Sequence, residues 1–318
     1  ARRANASGWS RTGVTRPTSG SGPAGMFGSG TADDPYVVTN ATQLQAINED
    51  LGANYTLGND IDASGTSSWN NGKGFDPIGD GFDPFTGTFD GNGHTISGLT
   101  IDRNPDEKDG VGLFGNTKTD ATIKGVGLEN VDVNGGSSNR VGAVVGESGL
   151  DKSPAPVTVT QSYATGDVVT SGRNVGGLVG LNYGTVTNSY ANVTVEGGGK
   201  DNSRSSTGPG SGIGGLVGRH DSGDIMNSYA TGSASGKDGA TSVDGVGGLT
   251  GIMEGDATVE TSYATSTVSS DGSVGGIVAF VLDNTIEGTR EERGLVEWEQ
   301  ATEDDTAFAS AFDRFLRD

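Results

Sequence analysis

The chain has 318 residues, of which 31% are hydrophobic, 57 are Gly and none is Cys. Without Cys there is no disulfide, thiolate metal site or cysteine nucleophile, and without an apolar run of about 18 residues there is no membrane-spanning helix. The net charge of −21, from 41 acidic and 20 basic residues, repels nucleic acid and anionic membranes and suits solubility in high salt, where screening removes self-repulsion.

Residues 1–30 hold Arg2, Arg3, Arg11 and Arg16, no acidic residue, and little to bury. They read either as a basic, flexible anchor arm that orders on a partner or as a disordered terminus. Residues 31–110 read as an N-terminal cap and lead-in coils. Tyr36, Val37 and Val38 suit a short strand. Leu44, Ile47 and Leu51 have helical spacing across Thr42–Leu51, with Asn40 or Thr42 as the N-cap and Gly52 at the end. Such a helix would cover the open end of a repeat stack. Tyr55–Leu57 and Asp60–Asp62 resume extended structure. Residues 63–84, with Trp69, Phe75 and Phe82, read as a long loop leaving the first coils. Phe85, Gly87 and Phe89 then alternate, Asp90-Gly91-Asn92-Gly93 turns, and Ile96, Leu99 and Ile101 continue in strand, Leu99 out of strict alternation.

Residues 111–284 repeat a two-part unit. One half is Val175-Gly176-Gly177-Leu178-Val179-Gly180, echoed from Ile213, from Val246 and, more weakly, from Val111, Val141 and Val274. The other half is Ser162-Tyr163-Ala164-Thr165, echoed at Ser189, Ser228 and Ser262. Val159, Val186, Ile225 and Val259 each stand four residues before the Tyr, which places aliphatic and Tyr on one strand face. The odd spacing to Val168, Val195, Ala234 and Val268 then implies a bend after the Tyr. Gln161, Asn188, Asn227 and Thr261 lie between and suit a polar ladder along the stack. In the glycine half, Leu178 opposes Val175 and Val179, so either the Gly pair bends the strand or both faces are covered. Spacing between halves varies most around 196–212, as expected where loops are inserted on one face. Residues 285–318 form a charged tail. Phe308, Phe312, Phe315 and Leu316 mark a helix face within Glu303–Arg317, suited either to a C-terminal cap or to oligomer contacts.

The paired signature, nearly whole at 175–192 and 213–232, resembles the GLUG repeat, and Phe89–Leu99 resembles the lead-in coil upstream of such repeats. The resemblance implies an all-β fold, a right-handed parallel β-helix, in large surface proteins that include adhesins and bacterial IgA-specific metallopeptidases and are common in haloarchaea. It carries over no catalytic residue. Because the chain is short, shows no apolar leader and ends in a helical tail, the expectation is a virion turret, spike or fibre of a virus of halophilic archaea. The alternatives are a fragment of a cell-surface adhesin and a polysaccharide-degrading enzyme on the same scaffold.

The chemistry-bearing residues point to no enzyme. His94 and His220 read as exposed turn residues. Asp76, Asp80, Asp83 and Asp90 read first as turn formers. A calcium site or a carboxylate pair for glycoside cleavage are the lesser alternatives. No cofactor is expected, because no Gly-x-Gly string has a phosphate-loop follower. Asn5, Asn40, Asn54 and Asn192 head glycosylation sequons. The expected partners are neighbouring virion or envelope proteins through the arm and tail, a host surface glycoprotein or glycan, and further copies of the chain.

Overall fold

The computed structural model describes residue 20 and residues 22–103, 110–118, 120–149, 157–198, 211–236 and 245–269. The arm up to residue 19, the weak repeat copy at 274–279 and the helical tail at 285–318 lie outside the described residues. Among these residues the strands form four parallel sheets, of 8, 9, 5 and 5 strands. One coil visits each sheet once. The coil from Asn174 does so with Asn174–Gly176, Val179–Asn182, Thr185–Thr187 and Tyr190–Gly197. Neighbouring coils pair in register, Val175 with Val141 and Ile213, Val186 with Val159 and Ile225, and Tyr190 with Tyr163 and Tyr229. The fold is the expected parallel β-helix. Residues stacked on one another are 27 apart at Thr160 and Thr187 but 39 apart at Ser189 and Ser228, so coil length varies while register holds. Much of that variation falls where the 9-stranded sheet hands over to the next glycine half, as between Gly197 and Gly212.

The glycines of the repeat are required by proximity. Sheets normally pack about 10 Å apart because side chains stand between them. Here the two 5-stranded sheets meet backbone to backbone. A Cβ on Gly176 would lie 2.2 Å from the Val179 carbonyl oxygen and 2.6 Å from the Gly218 nitrogen, and one on Gly180 would lie 2.4 Å from the Val141 nitrogen. The second Gly of each pair sits in a bend between strands and faces the Ala of the other half-repeat. Gly177 would place a Cβ 2.9 Å from that of Ala191, Gly215 one 3.0 Å from Ala230, and Gly248 one 3.0 Å from Ala264. Thus Val-Gly-Gly and Ser-Tyr-Ala are two sides of one contact. The Gly pair does bend the strand, and the bend explains why Val175, Leu178 and Val179 are all 0% exposed despite opposed parity.

The second half-repeat turns its corner before the Tyr, not after it. Gln161, Asn188, Asn227 and Thr261 all have φ between 46° and 51°, the left-handed region that polar Asn tolerates best among non-glycine residues. This corner shifts the side-chain parity by one. The aliphatic therefore points inward and the Tyr outward, correcting the expectation that they share a face, and Tyr190–Gly197 runs on as one strand with Ala191, Val193 and Val195 inward. The buried polar ladder also lies one residue later than expected. Ser162, Ser189, Ser228 and Ser262 are 1–2% exposed. The backbone N–H groups of Ser162, Ser189 and Ser228 donate to the Oγ of the next serine at 3.1, 3.2 and 3.1 Å. Each hydroxyl in turn donates to the carbonyl two residues back. At the first three corners the backbone donors buried beside the core are thereby matched.

At the N-terminal end the cap helix is shorter than expected. Helix α1 spans Ala41–Gln45 and continues as a 3-10 turn, Ala46–Glu49. Asn40 is its N-cap, accepting from the Gln43 N–H at 2.9 Å, and Leu44 and Ile47 are 0% exposed over the core. Residues 63–84 do not leave the coils. They hold a 3-10 segment, Ser64–Gly72, and then return along the coils through isolated bridges, Ile78 with Phe114, followed by Phe85 with Thr117. Gln45 and Asn48 clamp this return through the backbone of Asp76, Pro77 and Gly79 at 2.8–3.3 Å. Phe75, Ile78 and Phe85 are fully buried as a result, and Tyr55, Phe85, Phe114 and Phe89 form a continuous aromatic contact.

Two predictions follow from this packing. Gly214→Ala places a methyl 2.0 Å from the Val217 carbonyl oxygen and should cost at least about 1–3 kcal/mol, the range for core overpacking, read as a lower denaturation midpoint. Gly93→Ala meets open space at φ +77° and should cost only the local backbone strain, about 1 kcal/mol. Ser189→Ala strands the buried Ser162 N–H and should cost about 1–3 kcal/mol by the same measurement, whereas Asn188→Gly at the neighbouring corner should be tolerated. Equal costs for the two corner variants would exclude the serine ladder as a support of the fold.

Candidate functional site

The acidic residues singled out in the sequence are dispersed into separate structural tasks. Asp76 pairs with buried Arg103 at 2.9 Å. Asp80 closes a turn, its carboxylate accepting from the Phe82 and Asp83 N–H groups at 2.8 and 3.0 Å. Asp90 accepts from the Asn92 N–H and pairs with Lys124 at 2.9 Å. Among the described residues, no group of three or more His, Cys, Asp or Glu is placed to hold a metal ion. His94 meets Asp60 at 3.2 Å at the surface, and the Thr95 N–H together with His94 holds the Asp60 carboxyl below the usual range. Of the sequon residues, Asn40 caps α1, Asn54 donates to the Gly30 carbonyl at 3.2 Å, Asn192 is exposed on a strand, and Asn5 lies outside the described residues.

Ion pairs that sequence reading missed centre on Glu147 and Arg219, two buried residues of one 5-stranded sheet. Glu147 is 3% exposed, meets Arg140 at 3.1 Å and accepts from Asn116 Nδ2 at 2.8 Å. Arg219 is 5% exposed and donates to Asp221 and Glu254, each at 2.6 Å. Tyr183 is pushed up to about 12 by burial, with Asp221 adding to the effect. Glu147, Leu181, Arg219 and Ile252 occupy one position in successive coils. A position that holds an acid, a base or an aliphatic is a packing position, and a buried pair there is satisfied structure.

His220 is not an exposed turn residue. It ends the strand Val217–His220 and is 0% exposed. Asn182, stacked against it, uses its amide fully. Its Oδ1 accepts from the Gly184 N–H at 3.2 Å, while Nδ2 donates to the Gly184 carbonyl at 2.8 Å and to His220 Nδ1 at 3.0 Å. Nδ1 is therefore an acceptor, and Nε2–H donates to the Thr258 carbonyl at 3.3 Å. This is a neutral imidazole, and burial lowers its pKa below 6.5. For a base with a depressed folded-state pKa, the unfolded chain takes up the proton first, so stability is full above about pH 6.5 and falls as pH drops below it. The denaturation midpoint should drop between pH 7 and pH 5 more steeply for the native chain than for His220→Gln. Parallel pH slopes would exclude the neutral-imidazole assignment.

The outward face of the 9-stranded sheet carries the most regular surface. Tyr163, Tyr190, Tyr229 and Tyr263 stack along the axis with centroids 4.9, 4.9 and 5.2 Å apart and planes within 2–6° of parallel. The Tyr163 ring lies over Gly127 and its hydroxyl donates to Glu129 at 2.9 Å. Burial and then that carboxylate push its pKa up to about 12. Beside this ladder run three more rows: Thr165–Asn192–Thr231, Asp167–Thr194–Ser233–Thr267, and Val169–Glu196–Ser235–Ser269. A separate cavity of about 480 Å³ lies beside α1, lined by Ala24, Thr42, Gln45, Ala46, Glu49 and Trp69.

Comparison with known proteins agrees with this architecture. The family described as the GLUG motif matches residues 171–196 and 209–235, each a run of coil containing both half-repeats. Halomucin of Haloquadratum walsbyi is 38% identical over 161 residues, 48% of this chain. A protein described as a Gly-rich membrane protein, from Evansella cellulosilytica, is 35% identical over 171 residues, 53% of this chain. The chain spans 2% and 15% of the lengths of these two relatives. A structure described as an immunoglobulin A1 protease from Bacteroides ovatus superposes with TM-score 0.63 and 27% identity, over 80% of this chain and 74% of that one. A second, an IgA1 protease, superposes with TM-score 0.55 over 79% of this chain and 18% of that one, and at 21% identity it speaks for the fold alone. In-register coils built from Val-Gly-Gly and Ser-Tyr-Ala, with the motif match at 171–196 and 209–235, show that the chain carries GLUG repeats and is similar to haloarchaeal halomucin over about half its length.

Proposed function

We propose that the chain is a non-enzymatic, stiff module of an extracellular surface protein, with an adhesin-like recognition role. The observation that carries this reading is the 38% identity to halomucin over 161 residues, about half of this chain. The structure supports it in a second way. Parallel coils hydrogen-bonded along the axis add length at about 4.8 Å each, which yields a stiff stack that displays an extended surface. The carboxylates and the buried histidine described above serve pairs, turns and packing. The relatives come from an archaeon and a bacterium, which favours a cellular surface over the virion turret or spike expected from the sequence. The IgA1-protease likeness concerns the scaffold, since the repeat brings no catalytic residue with it.

Antibodies raised against residues 111–269 should label intact source cells in high salt, and external protease should remove the label. Signal only after lysis, or only on purified virus particles, would overturn the cell-surface reading. Incubation of the purified chain with neutral and acidic polysaccharides should release no reducing ends. Release that one Asp→Asn change at Asp76 or Asp90 abolishes would move the chain to the enzymes.

A further inference from the structure

The protein carries 41 acidic residues, yet one face of its rod is almost free of charge. On the outward side of the 9-stranded sheet the first coils present Asp62, Asp102, Glu129, Asp132 and Asp167. From the coil of Tyr190 onward the character changes. Across the strands Tyr190–Gly197, Tyr229–Gly236 and Tyr263 to Ser269, the four outward rows hold Tyr, Asn, Thr and Ser, with Glu196 the single charge among the described residues. The side chains of Asn192, Thr194, Thr231, Ser233, Thr265 and Thr267 make no hydrogen bond to any described residue. The serines of the buried ladder, by contrast, are fully paired.

We propose that this face binds an uncharged polysaccharide chain laid along the solenoid axis, a proposal that rests on the reading of the chain as a surface recognition module. Each hydroxyl there both donates and accepts, as do sugar hydroxyls, and each amide supplies both functions too. The rows repeat every coil, with Tyr rings 4.9–5.2 Å apart, so a polymer with its own regular repeat meets the same groups again at each step. Multiple weak contacts of this kind add through effective concentration. The chemistry disfavours the other occupants of a flat face. A protein partner draws on a desolvated apolar core with aliphatic or Arg anchors beside the aromatic ones, and the aliphatic side chains of the first two of these coils point inward, Val193, Val195 and Ala234 being 0–1% exposed. Among the described residues of these three strands a polyanion meets no cation, and the acidic remainder of the coils repels it.

The test uses the full chain in its working salt. Isothermal titration with cello-, laminari- and chito-oligosaccharides should find binding in at least one neutral series that tightens with oligomer length. Polygalacturonate, the charged control, should not bind. Thr194→Asp with Ser233→Asp places two charges on outward positions, one exposed and one half-buried, whose side chains pair with no described residue, and should weaken binding about tenfold or more. Thr122→Asp, on the 8-stranded sheet, should leave it unchanged. The denaturation midpoint of each variant confirms that the rod is intact. Absence of binding to all three neutral series overturns the proposal, as does binding indifferent to the paired Asp substitution. Concentration-dependent dimerisation that the same pair abolishes would assign the face to a second copy instead. Because these measurements use purified chain, they can fail while surface labelling of cells succeeds, and the reverse.

Discussion

The structure depends on one close approach. Two parallel sheets lie so near each other that only hydrogen can occupy the Cα substituent between them. Gly176, Gly180, Gly214 and Gly218 each face backbone atoms at 2.0–2.6 Å from where a Cβ would sit. Glycine inside a strand ordinarily weakens it, through entropy and lost side-chain packing. Here that loss is offset by a backbone-to-backbone contact that recurs in successive coils, and by the Val, Leu and Ala side chains that the bend directs into the core. The high glycine count and low apolar fraction are thus properties of a thin core, and they do not signal disorder.

From that contact the rest of the coil follows. The bend at the Gly pair brings the second Gly against the Ala of the next half-repeat, so the two halves are fixed together. The left-handed corner before each Tyr turns the chain into the 9-stranded sheet and sets the parity of everything after it. The serine beside the corner satisfies the donors that the turn exposes to the core. Repeat proteins draw stability from such nearest-neighbour terms, so coil length can vary between Gly197 and Gly212 while the register of these contacts holds.

The same logic separates structure from recognition. Positions inside the coil admit an ion pair in place of an aliphatic, as Glu147 and Arg219 do at the position of Leu181, because burial is satisfied either way. Positions outside the coil are unconstrained by packing, so their composition reports on surroundings. A ruled surface of hydroxyls, amides and tyrosine rings on an otherwise acidic rod is the part of the molecule that packing does not account for.

Much of this was legible in the sequence because a repeat announces its own period. Val-Gly-Gly and Ser-Tyr-Ala marked a stack of repeats whose resemblance to the GLUG repeat implied the parallel solenoid, and Leu44 with Ile47 marked a helical cap, since apolar spacing reports burial directly. Parity was not legible. One left-handed residue at Gln161, Asn188, Asn227 or Thr261 reverses the face of every residue after it, and nothing in the local sequence distinguishes such a corner from a polar strand position. Distance was not legible either. His220 follows Gly218-Arg219 and precedes an Asp-Ser-Gly turn, as an exposed residue would, but contacts from Asn182 and Thr258 in neighbouring coils bury it. The sequence by itself determined the fold and its period, because these depend on contacts between like repeats. The tertiary structure decided which side chains face inward and which polar groups meet, because those depend on stacking coils 27 to 39 residues apart.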